Sequence, residues 1–400
     1  MNYLLLILVL ILMSFIFFLG MYAQKKNFIR LILQKYFYFL MPGFRLQRNT
    51  PPENYLSLES EIGWKDYQYT YQYEELNNFL HKKANSKNLI DKNKHIFSNI
   101  DRDDFIKNLY GDVIKLVDHK SFFVKSSCTV FQSDDYQIKR LLLNGRIDGI
   151  SVDLLIGIPN KITQKQGIIA LHGFSSSPEK IMGLAKKDYS NSIGLEFIKK
   201  GFVVAAPFIF NHGERLSSSS ALASMVDTTI EAISVANVIS SIDYVSKAYG
   251  INNFGIYGIS AGATISLYAG AIEDRISCVA ASGILQDRIK SFSDLAAKKG
   301  QFTNRGSKLY THYFFSKYPF YYKYSFSVIS KLICPKPLLI ENGSDDGYLK
   351  YYGAELEFVD IQDYYQKKGA EKKATFKTFE GSHEANIGST LEWMLKNLNQ

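Results

Sequence analysis

The sequence contains little cysteine: only Cys128, Cys278 and Cys334 occur in 400 residues. They lie far apart without metal-ligand spacing, which argues against a disulfide framework and a cysteine zinc site. Two of the three lie in apolar surroundings, as buried structural thiols do. Internal repeats are also missing, so the sequence does not indicate a solenoid or a repeat array.

A dense block of basic residues is missing as well, although the formal net charge is +9. Lysine and arginine are scattered and interleaved with tyrosine, asparagine and serine, so no nucleic-acid partner is expected. His81, His95 and His119 each stand alone, without a cysteine or paired carboxylates at ligand spacing. No metal site and no organic cofactor are therefore expected.

The amino end carries an uncharged apolar run from Tyr3 to Ala23 that is long enough to span a bilayer. A cleaved signal peptide is the alternative, but basic residues before the run are missing, and Met21 and Tyr22 precede Ala23. The run predicts a single-pass transmembrane helix within an anchor of residues 1–24. Basic residues after it place the rest of the chain in the cytoplasm, namely Lys25, Lys26, Arg30 and Lys35.

Residues 25–120 are predicted to form a juxtamembrane, mainly helical extension. Its first segment, Asn27–Met41, suits either a helix on the membrane surface or a helix packed on the next domain. Two helical patches follow a pair of prolines in a polar stretch, at Tyr73–Lys83 and Arg102–Val117. None of these residues forms a pattern that indicates chemistry.

Residues 121–400 are predicted to form one catalytic domain. It opens with alternating runs that indicate antiparallel strands, and then strand and helix follow each other repeatedly. Such alternation predicts an α/β fold with a mostly parallel central sheet and helices on both faces. The expected strands are 167–171, 202–206, 254–257, 277–282 and 337–341, and the expected helices are 190–200, 227–249, 261–271 and 390–398.

The segment GISAG, residues 258–262, lies between an expected strand and an expected helix. In that setting a GxSxG turn exposes its serine, because the two glycines remove side chains that would collide. The following helix also presents backbone N–H groups to developing negative charge. Ser260 is therefore the candidate nucleophile.

A serine hydroxyl needs a base beside it, and the base needs an acid that orients it. In a strand–GxSxG–helix arrangement the acid precedes the histidine later in the chain. NGSDDG places Asp345 and Asp346 directly after an expected strand, and His383 lies in a loop before the final helix. The residues alone leave either aspartate as the acid.

A hydrolytic site also needs donors for the oxyanion of the tetrahedral intermediate. The strand at 167–171 runs into HGFSSS, where His172 and Gly173 allow a tight turn. The backbone N–H groups of Phe174 and Ala261 are the candidate oxyanion donors. His172 precedes this loop, so we expect it to have a structural role and His383 to be the base.

From Tyr136 to the carboxyl terminus, the sequence resembles the α/β-hydrolase superfamily, and within it the dienelactone hydrolase and acetyl xylan esterase-like branch. The resemblance implies Ser260 as nucleophile, His383 as base, and Phe174 with Ala261 as oxyanion donors. The usual spacing after the strand implies Asp346, not Asp345, as the acid. Five segments carry the resemblance: LHGFSSS at 171–177, GFVVAAPFIFNHGER at 201–215, YGISAG at 257–262, CPKPLLIENGSDDG at 334–347 and GSHE at 381–384.

An aromatic-rich insertion, residues 285–335, separates two expected strands of the domain. Its densest part, Thr311–Phe326, predicts an apolar lid or pocket wall, and ordinary packing over the sheet is the alternative. Together these features predict a membrane-anchored serine hydrolase acting on small-molecule or lipid-like carboxylic esters. A thioesterase or peptidase with the same triad, and a catalytically silent binding module, are the other hypotheses.

Overall fold

The fold is given by a computed structural model, which describes residues 72, 75, 76, 79, 101–117, 123–210, 215–286, 320, 323–347 and 353–398. Two predicted segments lie outside the described residues: the membrane span Tyr3–Ala23 and the amphipathic segment Asn27–Met41. The same is true of most of the aromatic segment Thr311–Phe326.

One sheet contains all the strands of the described residues, in the order β1-β2-β3-β5-β4-β6-β7-β8-β9. Their sequences are rich in valine, isoleucine and leucine, and four of the nine (β3 to β6 in chain order) are buried along their whole length, as expected for strands covered on both faces. The strands are β1 (Val124–Gln132), β2 (Tyr136–Asn144), β3 (Ser151–Pro159), β4 (Gly167–Leu171), β5 (Val203–Pro207), β6 (Phe254–Ile259), β7 (Ile276–Ser282), β8 (Leu338–Gly343) and β9 (Ala374–Phe379).

The sheet is antiparallel at one end and parallel in the remainder. β1, β2 and β3 pair as successive antiparallel neighbours, and β3 also pairs antiparallel with β5. From β5 through β4 and on to β9, every neighbouring pair is parallel. The prediction of antiparallel strands entering a mostly parallel sheet is confirmed. The carboxyl ends of β4 and β6 to β9 consequently share one edge, where the loops of such sheets carry function.

Helices cover both faces of the sheet, and two separate hydrophobic clusters fill the layers between them. One layer contains buried residues of α1, α5, α6, α7 and α8, and the other contains those of α2, α3 and α9. The helices are α1 (Arg102–Tyr110), α2 (Pro178–Ile181), α3 (Ile193–Lys199), α4 (Arg215–Met225), α5 (Ile230–Tyr249), α6 (Ala261–Ile272), α7 (Phe326–Ile333), α8 (Ala354–Lys367) and α9 (Ile387–Leu398).

The helix expected at Arg102–Val117 is shorter than predicted. It ends at Tyr110, and a 3₁₀ turn, Gly111–Leu116, follows it. Gly111 has φ +51°, and a Cβ there would lie 1.5 Å from the carbonyl oxygen of Asp227. Glycine fits this close approach and breaks the helix at the same point. Phe105 of α1 is fully buried in the same cluster as the sheet residues. The cluster therefore includes a residue that precedes residue 121, where the catalytic domain is predicted to begin.

The long helix predicted from Asp227 begins three residues later than expected. Thr229 caps α5, because its hydroxyl accepts the N–H of Ala232 at 3.0 Å. Asp227 itself has φ +55°, which no helical residue adopts. A side-chain cap of this kind fixes the helix start more sharply than hydrophobic periodicity can indicate.

The end of the aromatic insertion packs on the helix that follows Ser260. Phe320 and Tyr324 are buried, with ring centroids 4.9 Å apart, and the Phe320 ring lies 6.0 Å from that of Tyr268 on α6. Tyr324 also donates a hydrogen bond to Asp104 of α1 at 2.6 Å. These two residues therefore pack between α1 and α6, which agrees with ordinary packing, the alternative to a lid or pocket wall.

Among the described residues, no single helix has both the length and the apolar character needed to cross a bilayer. One pair of helices, Ser218–Met225 and Ile230–Tyr249, satisfies both criteria jointly, with a bend of 92° between them.

Candidate active site

Ser260 lies in the sharp turn between β6 and α6. Its backbone has φ +57° and ψ −120°, a conformation that costs energy for any residue other than glycine. A Cβ on Gly258 would lie 2.2 Å from the carbonyl oxygen of Gly262, and a Cβ on Gly262 would lie 2.5 Å from that of Leu171. Both glycines of the motif are therefore required by the backbone, and the serine is held in a strained, partly exposed position.

The loop after β4 lies directly against this turn. A Cβ on Gly173 would lie 2.8 Å from the carbonyl oxygen of Ile259, the residue before Ser260. Phe174 is the next residue of that loop, and Ala261 is the first residue of α6, where the N–H has no intrahelical acceptor. The structure therefore brings the loops of the two predicted oxyanion donors together beside Ser260.

Asp346 and His383 form a direct hydrogen bond, with 2.6 Å between Oδ2 of Asp346 and Nδ1 of His383. The Asp346 side chain is only 1 % exposed, whereas that of His383 is 17 % exposed. Asp345, by contrast, is an exposed residue, and its N–H donates to the carbonyl of Gly381. Of the two aspartates the sequence offered, Asp346 is the one bonded to the imidazole.

Gly283, at the end of β7, connects this pair to Ser260. A Cβ at Gly283 would lie 3.0 Å from Cε1 of His383 and 3.7 Å from Oδ2 of Asp346. The preceding residue, Ser282, accepts the backbone N–H of Ser260 at 2.9 Å. Four successive parallel strands, β6 to β9, thus bring the candidate nucleophile, acid and base to one edge of the sheet. Gly283 stands outside any sequence motif, so no pattern in the sequence indicates its role.

His172 is fully buried, and main-chain groups contact both of its ring nitrogens. The N–H of Ile209 donates to Nε2 of His172 at 3.2 Å, and Nδ1 faces the carbonyl of Gly173 at 3.2 Å. Both ring nitrogens are therefore used by the main chain, in the tautomer with the proton on Nδ1. The structural role expected for His172 is confirmed.

Arg140 forms a buried group of charges with two carboxylates beside the loop that carries Phe174. Its Nη2 lies 2.8 Å from Oδ2 of Asp153, and its Nη1 lies 2.8 Å from Oε1 of Glu179. Glu179 belongs to α2, the short helix that follows the Phe174 loop. The charges anchor this loop to β2 and β3. Alternation along the strands predicted β2 and β3 but gave no sign that Arg140 and Asp153 are buried together.

Glu341 is a fully buried carboxylate beneath the site, in the middle of the apolar strand β8. Its Oε2 accepts the hydroxyl of Thr390 at 2.6 Å and lies 3.5 Å from the hydroxyl of Ser282. Burial raises the pKa of Glu341 above its ordinary value of 4.5, partly offset by these hydrogen bonds. The sequence signal for it was the glutamate that ends the apolar run PLLIE.

We expect Glu341→Gln to change how stability depends on pH. A raised carboxyl pKa means that the folded chain keeps this proton after the unfolded chain has lost it. The stabilisation that the protonated Glu341 carboxyl provides is complete below pH 4.5 and is lost as the pH rises through the folded pKa. The free energy of unfolding of the wild type should therefore fall relative to that of Glu341→Gln as the pH is raised from 4.5. Denaturant titrations of both chains across this range measure the difference.

The exposed Glu371, substituted in the same way, is the matched control for this measurement. Its variant should follow the wild type at every pH. A constant difference between Glu341→Gln and the wild type would show that folding leaves the pKa of Glu341 unchanged, and a difference of opposite slope would show that folding lowers it.

Among the residues that the structure describes, no group of three or more histidine, cysteine, aspartate or glutamate side chains is arranged to hold a metal ion. Cys128, Cys278 and Cys334 are all free thiols.

No protein-family model and no curated protein matches this chain. Solved structures do: a putative acetyl xylan esterase from Bacteroides fragilis is 13% identical with a TM-score of 0.53, over 82% of this chain and 86% of its own. A methylesterase is also 13% identical, with a TM-score of 0.51, over 87% of this chain and 68% of its own. Acetyl xylan esterase 1 from Thermoanaerobacterium is 17% identical with a TM-score of 0.49, over 74% of this chain and 93% of its own. At 13% identity, the first two likenesses, with TM-scores above 0.5, show a shared fold and nothing further.

Proposed function

We propose that this chain, which has the α/β-hydrolase fold, is a serine hydrolase that cleaves carboxylic esters through an acyl-enzyme. The observation that carries the proposal is the convergence at Gly283. The bonded pair of His383 and Asp346 lies against this glycine, and Ser260 is hydrogen-bonded to the residue before it. An acid, a base and a strained serine are what nucleophilic acyl transfer requires.

In the first half of the reaction, Oγ of Ser260 bonds to the ester carbonyl carbon while His383 takes the hydroxyl proton. The bond from that carbon to the alcohol oxygen then breaks, and His383 gives its proton to the departing alcohol. Asp346 accepts the hydrogen bond from Nδ1, which leaves Nε2 of the imidazole as the proton acceptor and stabilises the imidazolium. Water, activated by the same base, then attacks the acyl-enzyme and releases the acid.

The oxyanion that forms on the carbonyl oxygen is stabilised by the N–H groups of Phe174 and Ala261. Two observations support this role: the close approach of the Gly173 loop to Ile259, and the position of Ala261 at the start of α6. Each such donor lowers the barrier by about 3 kcal/mol in serine hydrolases where one has been removed. The positive end of the helix dipole acts in the same direction.

The proposed substrate is a small-molecule or lipid-like ester, and the proposed location is the membrane. Proteins named as an acetyl xylan esterase and a methylesterase share the fold, which supports ester chemistry. The uncharged run at residues 3–23 supports a membrane anchor, and the basic residues that follow it favour a cytoplasmic catalytic domain.

Labelling with a fluorophosphonate probe tests this proposal. We expect the detergent-solubilised full chain to take the label, and both Ser260→Ala and His383→Ala to abolish it. Either substitution should lower kcat for an ester substrate by on the order of 10⁶-fold, as in other triads. Ser277→Ala, at the opposite end of β7, is the matched serine control and should label like the wild type. Before solubilisation the label should be in the membrane fraction, and deletion of residues 3–23 should move it to the soluble fraction.

A folded wild type that takes no label would contradict the proposal and favour a catalytically silent binding module. Label that persists in Ser260→Ala would identify another nucleophile. Comparing esters, thioesters and peptides of matched acyl groups then separates an esterase from a thioesterase or peptidase, and the ester should have the highest kcat/KM.

A further inference from the structure

Tyr189 lies between the two loops on which the proposed reaction depends. It precedes α3, it is half-buried, and the sequence around it, KKDYSNS, shows no motif. Its phenol hydroxyl donates to the carbonyl oxygen of Phe174 at 2.6 Å. Its own carbonyl oxygen accepts the N–H of Ala385 at 2.8 Å, two residues beyond His383.

The ring of Tyr189 also lies against the proposed base. The centroids of the Tyr189 and His383 rings are 5.5 Å apart, with 43° between their planes. The hydroxyl fits closely against the neighbouring loop, because a Cβ on Gly173 would lie only 2.3 Å from it. One side chain thus contacts the base and holds the carbonyl of the residue whose N–H is the proposed oxyanion donor.

The segment that carries Tyr189 is itself held firmly. Ser190 donates two hydrogen bonds to Oδ1 of Asp188, from its N–H at 2.9 Å and from its hydroxyl at 2.6 Å. Asn191 donates to the carbonyl of Ala385 at 2.9 Å and to the carboxylate of Glu384 at 3.3 Å. The residues on both sides of Tyr189 therefore fix its backbone, and its hydroxyl transmits that position to Phe174.

The Phe174 loop needs such a support, because its turn is strained. Ser175 has φ +57°, a conformation that non-glycine residues rarely adopt. Donors to a developing oxyanion act through preorganisation, and a displacement of about 1 Å at a catalytic group can lower the rate about 100-fold. A hydrogen bond that fixes the Phe174 carbonyl limits the rotation of the peptide units on either side of it.

We propose that Tyr189 is a positioning residue of the reaction. Its hydroxyl holds the Phe174 loop in the geometry that stabilises the oxyanion, and its main-chain carbonyl, bonded to Ala385, fixes that loop relative to the loop of His383. The inference rests on the proposed function, since it assigns Tyr189 a part in ester hydrolysis by Ser260. Tyr189 acts through Phe174 and His383 and forms no bond with the reacting atoms.

The test is Tyr189→Phe in the detergent-solubilised full chain, which removes the hydroxyl and keeps the ring on His383. We expect kcat for p-nitrophenyl acetate to fall by about 10- to 100-fold, while KM stays within about twofold, because the donor acts mainly in the transition state. The value of kcat is calculated per protein molecule that the fluorophosphonate probe labels at saturation. The labelled fraction of Tyr189→Phe should equal the labelled fraction of the wild type, which separates slower chemistry from a loss of folded protein.

Tyr136→Phe is the matched control, because Tyr136 is a half-buried tyrosine that packs against the same hydrophobic cluster but stacks on Phe131, at 5.2 Å. Its kcat per labelled site should equal that of the wild type. If kcat per labelled site in Tyr189→Phe equals that of the wild type, the inference is overturned. It is also overturned if the loss of activity is explained entirely by a smaller labelled fraction or by a higher KM. If the wild type labels and Ser260→Ala does not, such a result overturns the role of Tyr189 alone. A wild type without label overturns both proposals.

Discussion

Asp346→Asn should lower kcat for an ester by about 10⁴-fold, the loss seen when the buried acid of a known triad is made an amide. The Asp346 carboxylate accepts the Nδ1–H of His383, so Nε2 is left unprotonated and able to take a proton. An asparagine in its place can donate instead of accepting, which favours the other tautomer and removes the base. Initial rates at saturating p-nitrophenyl acetate, per folded chain, measure the effect.

Asp345→Asn is the matched control, one residue away on the same loop. Asp345 is exposed, and the contact it makes in this loop is through its backbone N–H, which the substitution keeps. We expect less than about a twofold change in kcat, as for surface positions in general. Equal losses in the two variants, or a larger loss in Asp345→Asn, would overturn the assignment of the acid.

Arg140→Met should have the largest effect on stability, a loss of about 3–5 kcal/mol in the free energy of unfolding. The substitution leaves Asp153, whose side chain is 1 % exposed, without the guanidinium that bonds both of its oxygens. It also removes the ion pair that holds Glu179 and with it the start of α2. Urea or guanidinium denaturation of the wild type and the variant gives the difference.

Replacing all three charged groups tests whether the loss comes from unpaired charge. The triple variant Arg140→Met, Asp153→Leu, Glu179→Gln should recover most of the stability, because no charge is then buried alone. Lys199→Met, which breaks the exposed ion pair with Glu196, should cost less than about 1 kcal/mol. A triple variant no more stable than Arg140→Met would show that shape, not charge, is what the group supplies.

Those parts of the site that depend on local backbone geometry could be predicted from the sequence. The segment GISAG between a strand and a helix fixes the turn that carries Ser260, because contacts within the turn and with the neighbouring strand leave room only for glycine at 258 and 262. The positions of Asp346 and His383 followed from the rule that parallel strands present their carboxyl ends at one edge. The choice of Asp346 over Asp345 depends on burial, and there the resemblance to a family supplied what the residues alone left open.

The remaining parts of the site depend on contacts between distant segments. Tyr189 meets Phe174 and Ala385, and no periodicity or spacing in KKDYSNS indicates either partner. Arg140 lies in a strand with alternating residues, and nothing in that alternation indicates its contact with Glu179 of α2. Hydrophobic alternation likewise does not specify that β5 lies between β3 and β4 in the sheet.

On the proposed mechanism, the order of the strands along the chain also sets when the chain can first become active during its synthesis. Among the described strands β9 is at the edge of the sheet, and it pairs with β8 from Ala374 to Phe379. His383 follows β9, 123 residues after Ser260 by number (383 minus 260). A nascent chain on the ribosome can complete the turn around Ser260 long before any base can reach it. If Ser260 and His383 react as proposed, an unfinished chain carries an inert serine, and the reactive nucleophile arises only when β9 has docked.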